Sequence, residues 1–242
     1  MSLKLHKTKD PLKSCDTCES QEGHHYCLLH TKTLKNMNII YCNDWKEKED
    51  IMIRSHKINT KTNYIGKWIR LDTIEIIDKT GKPKEWEVCR RVKNAKAVII
   101  IAYLYTSERL ILIREFRPAV NKFVIAFPAG LFDNLEDPID AAIRELKEET
   151  GYVGHIAESV SKNLLNTTSS PGIINEHNYF VKLIVDDNAI ENKDPKQSLE
   201  DDEDIEVFLI PFKKLQKFLE EKSKLGDLID AKLAAYSIGL ET

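Results

Sequence analysis

The stretch Gly130-Leu131-Phe132-Asp133-Asn134-Leu135-Glu136-Asp137-Pro138-Ile139-Asp140-Ala141-Ala142-Ile143-Arg144-Glu145-Leu146-Lys147-Glu148-Glu149-Thr150-Gly151-Tyr152 decides how this chain reads. Residues 137–150 have the pattern of a helix. Pro138 is tolerated in the first turn, where its missing N–H costs nothing, and Gly151 is placed to cap the end. Ile139, Ala142, Ile143 and Leu146 make one apolar stripe. The other face is acidic: Glu145, Glu148 and Glu149 stand at i, i+3 and i+4 and project from neighbouring points. Like charges crowded in this way repel, and a divalent cation offsets the repulsion. Three such carboxylates suit Mg²⁺ or Mn²⁺, hard ions that take oxygen ligands and share them with phosphate. Standing alone, the same pattern is more often a solvated helix face.

The segments on either side of this helix read as strands. The runs Ala97–Tyr105 and Leu110–Phe116 flank the turn Thr106-Ser107-Glu108-Arg109, and continuous apolar strands of this kind are buried on both faces. A preceding hairpin pairs Trp68–Ile77 with Glu85–Val92 across the turn residues Asp78-Lys79-Thr80-Gly81-Lys82, carrying Trp68 and Trp86. Strands are predicted near Tyr179–Val185 and Ile205–Ile210, and helices over Phe212–Glu221 and Asp227–Ile238. Asp186–Asp204 is a polar, acidic loop. The sum is a mixed α/β domain from residue 65 to 242, with the hairpin at 67–93 included.

At 242 residues, with 42% hydrophobic and 31% charged, the chain has the composition of a globule with a sizeable core. Its longest apolar run, Ala97–Tyr105, is nine residues, far short of the roughly 20 that a membrane helix needs, so no membrane partner is expected. A net charge of −3 gives no global reason to hold a polyanionic duplex, so no nucleic-acid partner is expected either. Five cysteines do not suggest a disulfide framework, and no apolar signal segment opens the chain. The expected compartment is the cytoplasm, with the nucleus as the alternative. Residues 1–64 form a polar extension without sustained amphipathic period. Within it Cys15-x2-Cys18, His24, His25, Cys27 and His30 have the residue types of a zinc site but match none of the standard spacings. Free thiols and surface histidines, rather than zinc, are the expectation there.

Taken with its neighbours, the central stretch spells Gly130-x5-Glu136-x7-Arg144-Glu145-Leu146-x-Glu148-Glu149-x-Gly151-Tyr152, which resembles the signature of the Nudix hydrolases. Only the last position departs, with Tyr152 in place of an aliphatic residue. The resemblance implies an α/β/α sandwich with a mixed sheet, and Mg²⁺-dependent hydrolysis of a nucleoside diphosphate linked to another group. It assigns metal binding to Glu145 and Glu149, with Glu148 and Glu136 close by and the carbonyl of Ala129 as a backbone ligand. Arg144 then holds the box carboxylates in place. The chemistry agrees: a pyrophosphate must be neutralised before water attacks it, and clustered metal ions do this while lowering the pKa of the water.

Over about residues 66–240 the chain is similar to the animal ADP-ribose pyrophosphatase subfamily. The landmarks are Gly66-Lys67-Trp68, Trp86-Glu87-Val88-Cys89-Arg90-Arg91, Glu115-Phe116-Arg117-Pro118, Phe127-Pro128-Ala129-Gly130-Leu131 and Ile229-Asp230-Ala231-Lys232. This likeness implies a homodimer whose N-terminal hairpins are exchanged. Trp68 and Trp86 would sandwich the adenine, one from each subunit, and Glu87 would accept a hydrogen bond from its amino group. Arg91 and Arg117 would contact the diphosphate, with Leu131 also at the substrate. Glu203 aligns with the carboxylate that orients or deprotonates the attacking water, with Glu148 and Glu149 as the other catalytic candidates. Other readings stay open. Each Trp could be a core indole, the arginines could be solvated, and any carboxylate of Glu200-Asp201-Asp202-Glu203-Asp204 could take the place given to Glu203.

Two departures stand out. Ala126 occupies a position where close relatives carry a carboxylate, and Pro171, the loop proline associated with ADP-ribose preference, lies 19 residues beyond Tyr152. The expected activity is release of AMP and a sugar phosphate from ADP-ribose or a related ADP-sugar. The alternatives are hydrolysis of oxidised or free nucleoside diphosphates, and a domain that binds ADP-ribose without cleaving it.

Overall fold

The hairpin turn at 78–82 shows in miniature how the sequence sets the backbone. Asp78 Oδ1 accepts hydrogen bonds from the N–H groups of Thr80 (2.8 Å) and Lys82 (3.0 Å), and Gly81 adopts φ = 79°, where an L side chain is strained. The computed structural model describes residues 18–21, 24–27, 55–93, 96–133, 135–156, 164–201 and 203–240. They fall into two units, Met1–Arg90 and Arg91–Thr242.

In the first unit, β1 (Cys18–Gln21) and β2 (His24–Cys27) pair antiparallel with Cys18 opposite Cys27. Cys15 and His30 of the Cys/His cluster lie outside the described residues. The strands β3 (His56–Ile65), β4 (Ile69–Ile77) and β5 (Pro83–Arg91) make a three-stranded sheet with β4 in the middle. β3 begins within the stretch read from sequence as a polar extension. Eight of its ten positions are exposed, so it carries no apolar alternation for periodicity to detect, and its ladder to β4 defines it.

The second unit is built on a nine-stranded mixed sheet. The apolar run expected to be buried on both faces becomes β6 (Lys96–Leu104), which pairs in parallel with β12 (Asn178–Val185) along its whole length. β6 and β7 (Arg109–Arg117) meet only at Tyr103↔Leu110 and Leu104↔Arg109 before they part. Beyond that point β6 pairs with β9 (Ala129–Phe132), whereas β7 pairs with β8 (Lys122–Ala126) and, on its other edge, with β13 (Ile205–Pro211). Phe127-Pro128 carries the chain from one half to the other. The short strands β10 (His155–Ile156) and β11 (Asn166–Thr167) both pair with β12, and β14 (Leu228–Ile229) pairs in parallel with β8.

The alternation of side chains sends the two faces to two cores. Val98, Ile100, Ala102, Ile111, Val181 and Leu183 pack under helix α1 (Pro138–Thr150), which contributes Ala141, Ala142 and Leu146. Ile99, Leu110, Leu112 and Ile125 pack under α2 (Leu215–Lys224) and α3 (Ala231–Leu240), through Leu215, Leu219 and Leu233. At about 1.5–3 kcal/mol for each fully buried Leu or Ile, these two layers dominate the favourable side of folding. The result is the expected α/β/α arrangement.

The late helices differ in their limits. Phe212–Lys214 is a 3₁₀ turn ahead of α2, and Leu228–Ile229, read as helix, is strand. The Asp230 N–H bonds to the Ile125 carbonyl, extending that pairing, while Asp230 Oδ1 accepts from the Lys232 N–H and opens α3. Two apolar residues ahead of a helix share its periodicity, so the pattern alone could not separate them.

Candidate active site

Helix α1 begins and ends as its sequence requires. Asp137 Oδ1 accepts from the Ile139 N–H (2.8 Å), and Gly151 closes the helix at φ = 78° with its N–H on the Lys147 carbonyl. Gly151 has a second duty. A Cβ there would lie 2.3 Å from Lys196 N and 2.7 Å from Pro195 C, so only glycine lets the loop before β13 pass this close. That loop is then tied to the helix end. The Ser198 N–H donates to the Glu148 carbonyl (2.8 Å), and Gln197 Nε2 donates to the carbonyls of Glu149 (2.7 Å) and Ile205 (3.0 Å). Glu200 and Glu203 are thereby brought to the acidic face of α1. Arg144, Glu145, Glu148, Ser198, Glu200 and Glu203 line a cleft of about 180 Å³.

The three box carboxylates lie at different depths. Glu149 is 3% exposed, and its Oε2 accepts from the Ala129 N–H (3.0 Å). Burial pushes its pKa up to about 8; the Ala129 N–H opposes this, and the charges of Glu145, Glu115 and Glu203 reinforce it. Burial also raises Glu145, against the pull of Arg144. Glu148 is more exposed, at the rim. Gly130 makes room for this set, because a Cβ on it would fall 1.9 Å from the carboxyl carbon of Glu145.

Arg144 is the organiser expected from the sequence. Its Nε and Nη2 each lie 3.0 Å from an oxygen of Glu136, and its Nη1 bridges Glu145 Oε1 (2.8 Å) and Glu148 Oε2 (2.9 Å). Glu136, before the other carboxylates, raises its pKa further and keeps the guanidinium charged. Its Nη2 also reaches the Leu131 carbonyl (3.4 Å), on a residue whose side chain is exposed.

Of the loop carboxylates, Asp202 lies outside the described residues, and Glu200, Asp201 and Asp204 are exposed. Glu203 is half-buried, its Oε2 accepts from the Glu200 N–H (2.9 Å), and its charge acts on Glu115, Glu145 and Glu149.

The other residues singled out from the sequence are distributed as follows. Arg117 pairs with Glu115 (2.7 Å). Arg91 pairs with Glu176, its Nε and Nη2 at 3.1 and 2.8 Å from Oε1, a partner the sequence did not suggest. Pro171 is exposed in the turn Ser170–Ile174, and Ala126 lies on β8 opposite Ile113. In the first unit Trp68 and Trp86 are 66% and 52% exposed, which makes them surface rather than core indoles, and Glu87 is exposed on β5. Gln197, Ser198 and Glu115 carry parts of this site that sequence reasoning did not assign. Only Glu115 had a legible signal, a carboxylate continuing the alternation of Ile111 and Ile113.

As placed, no three His, Cys, Asp or Glu side chains among the described residues already converge on one metal position, and the Arg144 guanidinium lies between Glu145 and Glu148. The donor set nevertheless fits a hard divalent ion. Its side-chain donors are carboxylates, Glu149 is buried without a full counter-charge, and the missing side chain of Gly130 lets the Glu145 carboxylate sit close against β9.

A family model of the NUDIX domain matches residues 93–230, more than half of the chain. The chain belongs to the Nudix hydrolases, enzymes that act on nucleoside diphosphate-linked substrates. It is 34% identical over 184 residues to the ADP-sugar pyrophosphatase of Mus musculus, covering 73% of this chain and 83% of that protein. To the ADP-ribose pyrophosphatase of Saccharomyces cerevisiae it is 37% identical over 185 residues, covering 72% and 77%. The fold is similar to the crystal structure of an ADP compounds hydrolase, with a TM-score of 0.57 at 21% identity, covering 77% of this chain and 91% of the other.

Proposed function

We propose that this chain is a Mg²⁺-dependent pyrophosphatase that converts ADP-ribose, or a related ADP-sugar, to AMP and a sugar phosphate. It works as a homodimer in the cytoplasm or nucleus. The observation that carries the reading is the buried Glu149, fixed by the Ala129 N–H and surrounded by Glu145, Glu115 and Glu203 at the place where β6 and β7 part. The pyrophosphatase names of two relatives at 34% and 37% identity support the substrate class.

Glu145 and Glu149, with Glu148 and the Ala129 carbonyl, hold Mg²⁺ or Mn²⁺, and no zinc is assigned to the N-terminal cluster. A cation held there would supply neutralisation of the diphosphate and a lower pKa for the attacking water. Glu203 orients that water and accepts its proton, assisted by Glu148, as the new P–O bond forms and the bridging P–O bond breaks. Arg117 and Arg91 face the diphosphate; Arg91 does so while shared with Glu176. Trp68 and Trp86 stack on the adenine, Glu87 accepts from its amino group, and Leu131 lines the sugar side. Exposed Tyr64, Ile65, Trp68, Ile69 and Trp86 in the first unit support a second copy as their partner.

Incubation with ADP-ribose and Mg²⁺ is expected to release AMP and ribose 5-phosphate, with EDTA stopping the reaction. A panel of ADP-ribose, ADP-glucose and oxidised nucleoside diphosphates, ranked by kcat/KM, fixes the substrate class. No turnover of any of them by metal-loaded protein would sink the enzyme reading, and nucleotide binding unchanged by Glu149→Gln would point to a binding domain.

A further inference from the structure

Glu115 closes an apolar row. The odd-numbered side chains of β7 face helix α1: Ile111 belongs to the core under α1, whereas Leu110 and Leu112 belong to the opposite one. Ile113 is 1% exposed, and the alternation then carries Glu115 onto the same face, near enough for its charge to act on Glu149. Its cross-strand neighbours are Val124 on β8 and Ile205 on β13, both apolar. Ala126, opposite Ile113, adds only a methyl group. On this part of the sheet the acidic function comes from β7.

The charge balance around it is uneven. Glu115, Glu136, Glu145, Glu148, Glu149 and Glu203 supply six carboxylates, and the cations paired with them are Arg117 and Arg144. This excess of carboxylates over paired guanidinium groups is of the kind a divalent cation offsets. A strand carboxylate with its side chain only 16% exposed, beside Val124 and Ile205, is costly in such company without a cation. Arg117, half exposed, offsets part of that cost through a 2.7 Å contact to one oxygen, Oε2.

We infer that Glu115 is a further metal-binding carboxylate of this site, acting with Glu149 and Glu203, and that its pairing with Arg117 ties the metal-binding set to the arginine facing the diphosphate. This rests on the pyrophosphatase reading above. The strand then contributes to cation binding alongside the box helix, and the sequence Arg114-Glu115-Phe116-Arg117 couples a cation ligand to an anion ligand two residues away on one face.

The test is Mn²⁺ binding to the intact chain without nucleotide, followed by electron paramagnetic resonance, for wild type, Glu115→Gln, Glu115→Asp and Glu149→Gln. Thermal melts verify that each variant is folded. Glu115→Gln is expected to weaken Mn²⁺ binding about tenfold or more, or to abolish one of two binding phases, and Glu115→Asp to recover part of the loss. Unchanged Mn²⁺ titration in Glu115→Gln overturns the inference, including the case in which only KM for the nucleotide rises, which would leave Glu115 as a support for Arg117. The parent reading fails in a different way, by a wild-type chain that binds no Mn²⁺ or by Glu149→Gln binding it as wild type does.

Discussion

The side-chain amide of Gln197 lies 2.7 Å from the carbonyl oxygen of Glu149 and 3.0 Å from that of Ile205, so one side chain fastens the last turn of the box helix to the first residue of β13. The Glu149 carbonyl is among the last four of the helix and has no partner within it. The segment between these anchors carries Glu200 and Glu203, and the Ser198 N–H on the Glu148 carbonyl holds it a second time. The acidic loop is thereby given a fixed origin beside the carboxylates of α1.

Replacing Gln197 by Ala removes both bonds and leaves two carbonyls short of a donor, a cost of about 1–3 kcal/mol seen as a lower melting temperature. The larger effect is expected in turnover. Displacement of Glu203 by even about 1 Å lowers kcat up to about 100-fold, with a smaller change in KM. Steady-state kinetics with ADP-ribose decide the point, and a kcat equal to wild type would mean that the loop finds its place without this anchor.

Gly130 makes a sharper demand. A methyl at this position would fall 1.9 Å from the carboxyl carbon of Glu145, so Gly130→Ala must push that side chain off its place or shift β9. Activity is expected to fall by at least about 100-fold, with Mg²⁺ affinity falling too, since the displaced group is one of the proposed ligands. Circular dichroism should remain that of a folded chain. Mg²⁺ titration by calorimetry separates this outcome from simple unfolding.

How much of this was legible follows from where each residue acts. The helix 138–150, its caps and its stripe were readable because cap chemistry and a 3.6-residue period are local properties of the chain. So were the buried strands. The strand β3 was not, because its exposed side chains leave no pattern and its partner is another segment. The roles of Gln197 and Ser198 were hidden for the same reason: a polar residue in an acidic loop says nothing about which carbonyl it will meet. Glu115 stood in plain view within a landmark, but its importance depends on β8 and β13 lying on either side of it. The indoles were undecided between core and surface until their exposure was known.

That exposure makes the next outcome discriminating. Truncating a core indole costs about 3–5 kcal/mol, whereas Trp68 and Trp86, 66% and 52% exposed, should tolerate replacement by Ala with little change in melting temperature. If they stack on the base, each replacement removes about 1–3 kcal/mol of binding, a rise in KM of about tenfold to 100-fold with kcat less affected. Melting curves and KM measured on the same preparations test both halves. A large stability loss with unaltered KM would assign the indoles to packing.

The titration of Glu149 gives a pH dependence of definite sign. Its carboxyl rises from an ordinary 4.5 to about 8 through burial, so between these values the folded, metal-free chain keeps a proton that the unfolded chain has released. The stability tied to this group is therefore fully present below the unfolded value and is lost as pH rises through the folded one. Glu149→Gln cannot titrate and lacks that fall. In EDTA, the melting temperature of wild type minus that of Glu149→Gln is expected to decline from about pH 5 to about pH 8.5. Mg²⁺ acts in the opposite sense, because it binds the ionised carboxylate: its stabilisation of wild type should grow over the same range and stay smaller in the variant. A difference that is flat in EDTA would show that Glu149 ionises at its ordinary pKa, and the buried carboxylate at the centre of this site would lose its special place.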